Sequence, residues 1–190
     1  MTQFSRGTWG PRSHAHAAGF TLLEALIVAV IVGIIAAIAV PGFLGFLNQR
    51  KINASRDMVY QAIRATQAEA MQKRQEQQFS IRQRHDLVEW ANHPRSIDPA
   101  QVSLWNPLME GVILADIDNT LRESKGIHYV QFDMYGNLRG KWFGRQGTIT
   151  LTVPSANQLT HRCVVVSTVL GALRKGQGHK RANSNGRRCY

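Results

Sequence analysis

Residues 19–43 read GFTLLEALIVAVIVGIIAAIAVPGF, an apolar run with a single acid, Glu24, near its start. Ala25 to Leu47 is 23 consecutive residues without a charge. At about 1.5 Å per residue, a helix of that length reaches roughly 35 Å, enough to cross a bilayer core. A carboxylate held at the centre of such a helix costs about 2.5–3.5 kcal/mol even on the mildest scales, so an acid there needs a partner or a task. A cleavable secretory signal is the competing reading: Arg6 and Arg12 form its basic region, Leu22 to Ala36 its apolar region, and Ala37-Ile38-Ala39 a small-x-small cleavage site. An acid has no use in a disposable signal, and the residues after Ala39 continue as helix.

That continuation is amphipathic. Val59, Ala62, Ile63, Thr66 and Ala70 recur at the i, i+3, i+4, i+7 spacing of one helical face, with Arg56, Arg64, Lys73 and Arg74 around them. The pattern predicts one long helix from about Phe20 to about Gln77, apolar all round over 20–47 and amphipathic over 48–78. Gly33 lowers helix propensity and Pro41 removes a backbone donor, so both are helix-weakening positions where the chain is expected to bend or melt.

Beyond the helix the period shortens. Residues 78–81, 111–117, 127–134, 147–153 and 162–170 are short β-branched or alternating runs. They predict a small antiparallel sheet, with a hairpin turn at Tyr135-Gly136-Asn137 and a long loop from about Ala91 to Glu110, marked by Pro94, Pro99 and Pro107. The amphipathic half of the helix offers the face this sheet needs, which makes the fold class α+β.

Gly19-Phe20-Thr21-Leu22-Leu23-Glu24, followed by the apolar run with Gly33 and Pro41, resembles the class III signal of type IV prepilins and type II secretion pseudopilins. The order of long helix, loop, VQFDMYGNLRG (130–140), β-rich stretch and CVVVSTVLGALRKG (163–176) is similar to the GspH/FimT branch of minor pilins and pseudopilins. The resemblance implies a pilin-like fold, with the long helix packed on a small antiparallel β-sheet domain. It divides the chain into a cleaved leader (1–19), a transmembrane or filament-core half-helix (20–47), an amphipathic half-helix (48–78), a β-rich globular domain (79–175) and a basic carboxy-terminal tail (176–190). It implies cleavage after Gly19 by a prepilin peptidase, N-methylation at Phe20, and a Glu24 paired in the filament with the amine of a neighbouring subunit. It also implies an inner-membrane subunit with its amino terminus in the cytoplasm and its domain outside, whose partners are other pilin or pseudopilin subunits.

Charge is distributed unevenly. Residues 1–133 hold 13 Lys/Arg and all 12 Asp/Glu, a net of +1, so the remaining +10 of the chain's +11 lies in residues 134–190, which contain no acid. Such a stretch favours an anionic partner. Arg174, Lys175, Lys180, Arg181, Arg187 and Arg188 are the candidate phosphate contacts for DNA. DNA-binding members of the FimT branch carry a Gly-Arg-x-Arg motif near this end; Gly171-Ala172-Leu173-Arg174 and Gly186-Arg187-Arg188-Cys189 each match it in part. The competing reading is a solvated basic terminus. Cys163 and Cys189 lack metal-ligand spacing, but in an oxidising compartment a bridge between them would close a loop worth roughly 3–4 kcal/mol in chain entropy.

No catalytic constellation is visible. Seven histidines, at 14, 16, 85, 93, 128, 161 and 179, are scattered, and no HExxH, GxSxG or Walker pattern occurs. Asp116 and Asp118 read as a solvated strand end rather than an acid–base pair, and Trp90, Trp105 and Trp142 as core or loop anchors. No enzyme activity, metal or cofactor is expected. Three roles remain: a filament subunit of a type IV pilus or secretion pseudopilus, a DNA-capturing version of the same protein for natural transformation, and a membrane-anchored basic domain that faces lipid without any filament.

Overall fold

A computed structural model describes residues 20–139, 147–154 and 157–190. The chain divides into two compact units after Phe43. Helix α1 spans Leu22–Lys73 and includes both Gly33 and Pro41 without interruption. In the first unit every described side chain of α1 is exposed, as its uniformly apolar composition allows no buried face to be singled out.

In the second unit the same helix changes character. Ile52, Ser55, Val59, Ala62, Ile63, Thr66 and Ala70 are buried at three- and four-residue spacing. The helix stops four residues short of the expected Gln77, and the stop has a local cause. Arg74 adopts a left-handed conformation (φ 50°), and the Gln75 N–H donates to the Ala70 carbonyl at 3.2 Å. This is a Schellman termination, with arginine where glycine is usual.

The strands are β1 (Gln77–Arg84), β2 (Leu87–Pro94), β3 (Asn106–Pro107), β4 (Ile113–Leu114), β5 (Arg122–Ser124), β6 (Ile127–Phe132), β7 (Gly147–Thr152), β8 (Arg162–Val166) and β9 (Leu173–Gln177). They form two antiparallel sheets, in the orders β3-β2-β1-β6-β5 and β4-β7-β8-β9, where the sequence suggested one. The α+β class stands: one core joins the helix residues to Phe79 and Ile81 of β1, Val130 and Phe132 of β6, Ile149 and Leu151 of β7, and Val164 and Val166 of β8.

Several expected elements differ. β2 was not anticipated, because LVEWANHP mixes charged, amide and small residues of low strand propensity; pairing with β1 through a tight turn at His85 (φ 54°) overrides that propensity. The expected loop over 91–110 therefore starts after Pro94 and carries a short 3-10 turn at Pro99–Gln101 and strand β3. The turn at 133–137 forms, with the Asp133 carboxylate accepting the Tyr135 and Asn137 N–H groups at 2.9 and 2.8 Å. It does not join neighbouring strands of one sheet, since β6 and β7 belong to different sheets and the turn closes only on a Phe132–Leu138 bridge. Gly136 (φ 80°) is required there, because a Cβ would come within 2.9 Å of the Met71 sulfur.

Candidate functional site

The first site is the start of α1. Thr21 immediately precedes the helix, and its Oγ1 accepts the Glu24 N–H at 3.1 Å. Thr21 is thus the N-cap and Glu24 the third helical residue, the spacing of a capping box. The exposed N–H groups of a first turn carry partial positive charge, so a carboxylate in that turn is favourably placed even before any partner is considered. The signal for Thr21 is local, a Thr-x-x-Glu spacing immediately before the apolar run. Phe20 is 75% exposed. Gly19 and the leader lie outside the described residues.

Residues 14–40 match the family model for the prokaryotic N-terminal methylation motif. The amino-terminal segment of the chain carries that motif. In that motif Glu24 sits three residues into a helix long and apolar enough to cross a membrane. Among solved structures the chain is similar to the type IV minor pilin FimU of Pseudomonas aeruginosa (strain PAO1), at 10% identity and a TM-score of 0.47, over 68% of this chain and 90% of that one. No curated protein matches the chain in sequence.

The second site is the carboxy-terminal region, and here the fold corrects the charge map read from the sequence. Residues 134–190 contain no acid, yet folding brings Asp57 and Asp118 to them. Lys175 pairs with Asp57 at 3.1 Å and lies 5.0 Å from the centre of the Tyr60 ring, on the side of β9 that faces α1. Burial pushes the Asp57 carboxyl up, but hydrogen bonds and charge from Arg56 and Lys175 outweigh it and hold the group below the usual carboxylate range. Arg187 donates to the Thr148 hydroxyl at 3.3 Å. The six candidate cations are therefore not one open patch: Arg174, Lys180 and Arg181 are exposed and make no ion pair among the described residues, whereas Lys175 and Arg187 are engaged in the fold.

The segment after β9 is tied down at several points. Cys163 and Cys189 form a disulfide with a Cα–Cα distance of 6.2 Å. Gln177 and Tyr190 exchange both backbone hydrogen bonds at 3.2 Å, and the rings of His179 and Tyr190 stack at 3.9 Å. The Asp118 carboxylate accepts the N–H groups of Arg188 and Cys189 at 2.8 and 2.9 Å. Asp118 therefore holds the tail from 70 residues away in sequence. No local pattern could have revealed that role.

Strand β9 alternates as its register requires. Leu173 and Lys175 share the side facing α1, and Arg174 and Gly176 share the other with Val165 and Cys163. Gly176 is required by close approach: a Cβ would meet the Cys163 sulfur at 2.8 Å and the Tyr190 backbone at 2.9 Å. Thr148 and Thr150 are buried on the same outer side, and Cys163, Val165 and Cys189 form a small second core there.

The remaining candidates resolve as structure. Trp90 packs 6.3 Å from Phe79, and Trp105 lies under the Arg82 guanidinium at 3.8 Å while donating to the Val102 carbonyl at 2.9 Å. Trp142 lies outside the described residues. Asp116 is exposed and Asp118 is engaged by the tail amides. Among the described residues no group of three His, Cys, Asp or Glu is placed to hold a metal ion.

Proposed function

We propose that the chain is a minor pilin or pseudopilin, cut after Gly19, N-methylated at Phe20, anchored in the inner membrane by its apolar half-helix and then assembled with other such subunits into a type IV pilus-like filament. The observation that carries this reading is the methylation motif over residues 14–40, with Glu24 in the first turn of a helix that carries no other charge through Leu47. In a bundle of such helices the carboxylate gains from the terminal ammonium of a neighbour, because opposite charges attract more strongly in a low dielectric than in water. Glu24→Ala tests it: the variant should still insert and be processed, yet be depleted from sheared filaments. Normal incorporation would remove the pairing of subunits through Glu24.

The secretion pseudopilus is the alternative filament, and the motif serves both. Adjacent pilus and competence genes favour the pilus; a secretion cluster favours the pseudopilus. DNA capture is a second reading, supported by the exposure of Arg174, Lys180 and Arg181 beside the tied-down tail. If these three meet phosphates, the log–log salt slope of duplex binding is about −3, less steep than the value of about −5 for all six cations. A DNA titration at several salt concentrations, beside Arg174→Ala/Lys180→Ala/Arg181→Ala, checks it; equal affinity of the two proteins would remove the region from any DNA site.

A further inference from the structure

The outer side of the five-stranded sheet, away from α1, carries a feature on which the proposed function does not draw. Four polar side chains from three strands form one hydrogen-bonded chain across it. The Gln131 amide donates to the Gln78 carbonyl at 2.6 Å, the Gln78 amide donates to the Ser80 hydroxyl at 2.9 Å, and Ser80 meets His93 Nε2 at 2.9 Å. His93 Nδ1 lies 2.9 Å from the Pro94 carbonyl, which can only accept. With a neutral imidazole, that bond places the proton on Nδ1, so Nε2 accepts from Ser80 and every bond in the chain has one direction.

Three of these residues, Gln78, Ser80 and His93, are at least nine-tenths buried. A sheet face that served only to cover the domain would be filled more simply by apolar side chains. A directional chain instead fixes the orientation of its last member. That member is Gln131, whose amide nitrogen is committed to Gln78 and whose carbonyl makes no hydrogen bond among the described residues.

Gln131 opens onto a cleft of about 740 Å³, within the size range of small-molecule sites. Its polar and apolar elements alternate. Tyr129 and buried Ile127 lie on the same face of β6, and Ile97 and Pro99 add apolar surface to the lining. The hydroxyls of Tyr129, Ser96 and Ser124 have no hydrogen-bond partner among the described residues. The charges in the lining are largely satisfied internally. Arg95 pairs with Glu76 at 2.7 Å, Arg139 pairs with the same carboxylate, and Asp98 caps the Ala100 N–H at 2.8 Å. Neither Asp98 nor Lys125 makes an ion pair among the described residues.

We propose that this cleft binds an uncharged, hydroxyl-rich ligand, a saccharide unit, oriented by the Gln131 carbonyl and laid against the Tyr129 ring. The chemistry matches on both sides: a pyranose presents hydroxyls at its edge and C–H groups on its face, and the cleft offers unpaired hydroxyl and amide groups beside an aromatic ring. A phosphate or a strong cation finds no concentrated opposite charge, since Glu76 is shared by two guanidiniums and Asp98 and Lys125 are single charges of opposite sign in the lining.

Saturation-transfer NMR on the full chain in lipid nanodiscs, which avoid sugar-headed detergents, supplies the test. The probes are the methyl glycosides of glucose, galactose and N-acetylglucosamine, with inorganic phosphate as the charged comparison. At least one glycoside should bind saturably with its ring protons in contact with Tyr129, and phosphate should not. Tyr129→Leu should abolish the transfer, and Ser80→Ala, which interrupts the chain without touching the cleft, should weaken binding about tenfold, as expected for one misoriented hydrogen-bonding group. Circular dichroism confirms that each variant is folded, and Lys125→Ala, at the rim, should leave glycoside binding unchanged. Absence of saturable binding by all three glycosides, preferential binding of phosphate, or equal binding by folded Tyr129→Leu and Ser80→Ala would overturn the proposal.

Discussion

The two halves of α1 obey the same backbone rules and opposite packing rules. From Ala25 to Val40 the side chains are apolar on every face, and all of them are exposed; from Ile52 to Ala70 one stripe is apolar and that stripe is buried. The first half can satisfy its apolar surface only in lipid or against other helices, because it has no face to prefer. The second half buries its stripe in the core of the second unit. A chain built this way asks for two environments, and its acid stands at the far end of the half that lacks a fold of its own.

The sharpest way to break this contrast is to place the same charge in each half. Ile63→Asp buries an unpaired carboxylate among Phe79, Phe132 and their neighbours and should cost about 4 kcal/mol or more, enough to unfold the domain in a thermal melt. Ile31→Asp should leave the domain's melting unchanged while reducing recovery in the membrane fraction. Equal domain destabilisation by the two would show that the halves are not separate in energetics.

Reducing the Cys163–Cys189 bridge should cost the second unit roughly 3 kcal/mol by the chain-entropy argument, and less to the extent that Asp118 and the Gln177–Tyr190 pair keep the tail in place. Denaturant unfolding with and without reductant measures it. Asp118→Asn in the reduced protein separates the contributions and should lower the midpoint further.

Acid should destabilise the second unit. His161 is held below its ordinary value of 6.5 by burial, with Asp118 opposing the shift, and Asp57 is also held low. Both folded-state values lie below the unfolded ones, so the unfolded chain binds more protons in the window between them, and stability falls as pH falls. For His161 the contribution is complete above pH 6.5 and is lost as pH drops from there through its folded value. For Asp57 the loss comes in the acid range below its ordinary carboxylate value of 3.8. His161→Phe should flatten the first part of that profile in thermal melts taken across pH. The smallest effect is at the helix start: Thr21→Val removes the cap, worth about 1 kcal/mol, and should speed amide exchange of Glu24 about fivefold without changing domain stability.

The sequence made the helix legible because hydrophobic periodicity and length are local signals, and Val59, Ala62, Ile63, Thr66 and Ala70 all lie in the buried stripe. It made five strand-bearing runs legible for the same reason, those that hold β1, β4, β6, β7 and β8. It did not reveal β2, whose strand state depends on pairing with β1, nor the split into two sheets, which is a matter of long-range register. The site shows the same division. Gly19, Phe20 and Glu24 form a contiguous motif, whereas the basic tail looked free of acids only until Asp57 and Asp118 arrived from distant segments. Spacing within a motif survives in one dimension; pairing between elements does not.

On the proposed function, the apolar half-helix begins a processed filament subunit and is not a disposable signal. Intact mass of the protein recovered from its native membrane tests that directly. The account predicts a species that has lost residues 1–19 and gained one methyl group on the amine of Phe20, with the apolar half-helix retained. A mass corresponding to cleavage after Ala39, or to the uncleaved chain, would contradict it.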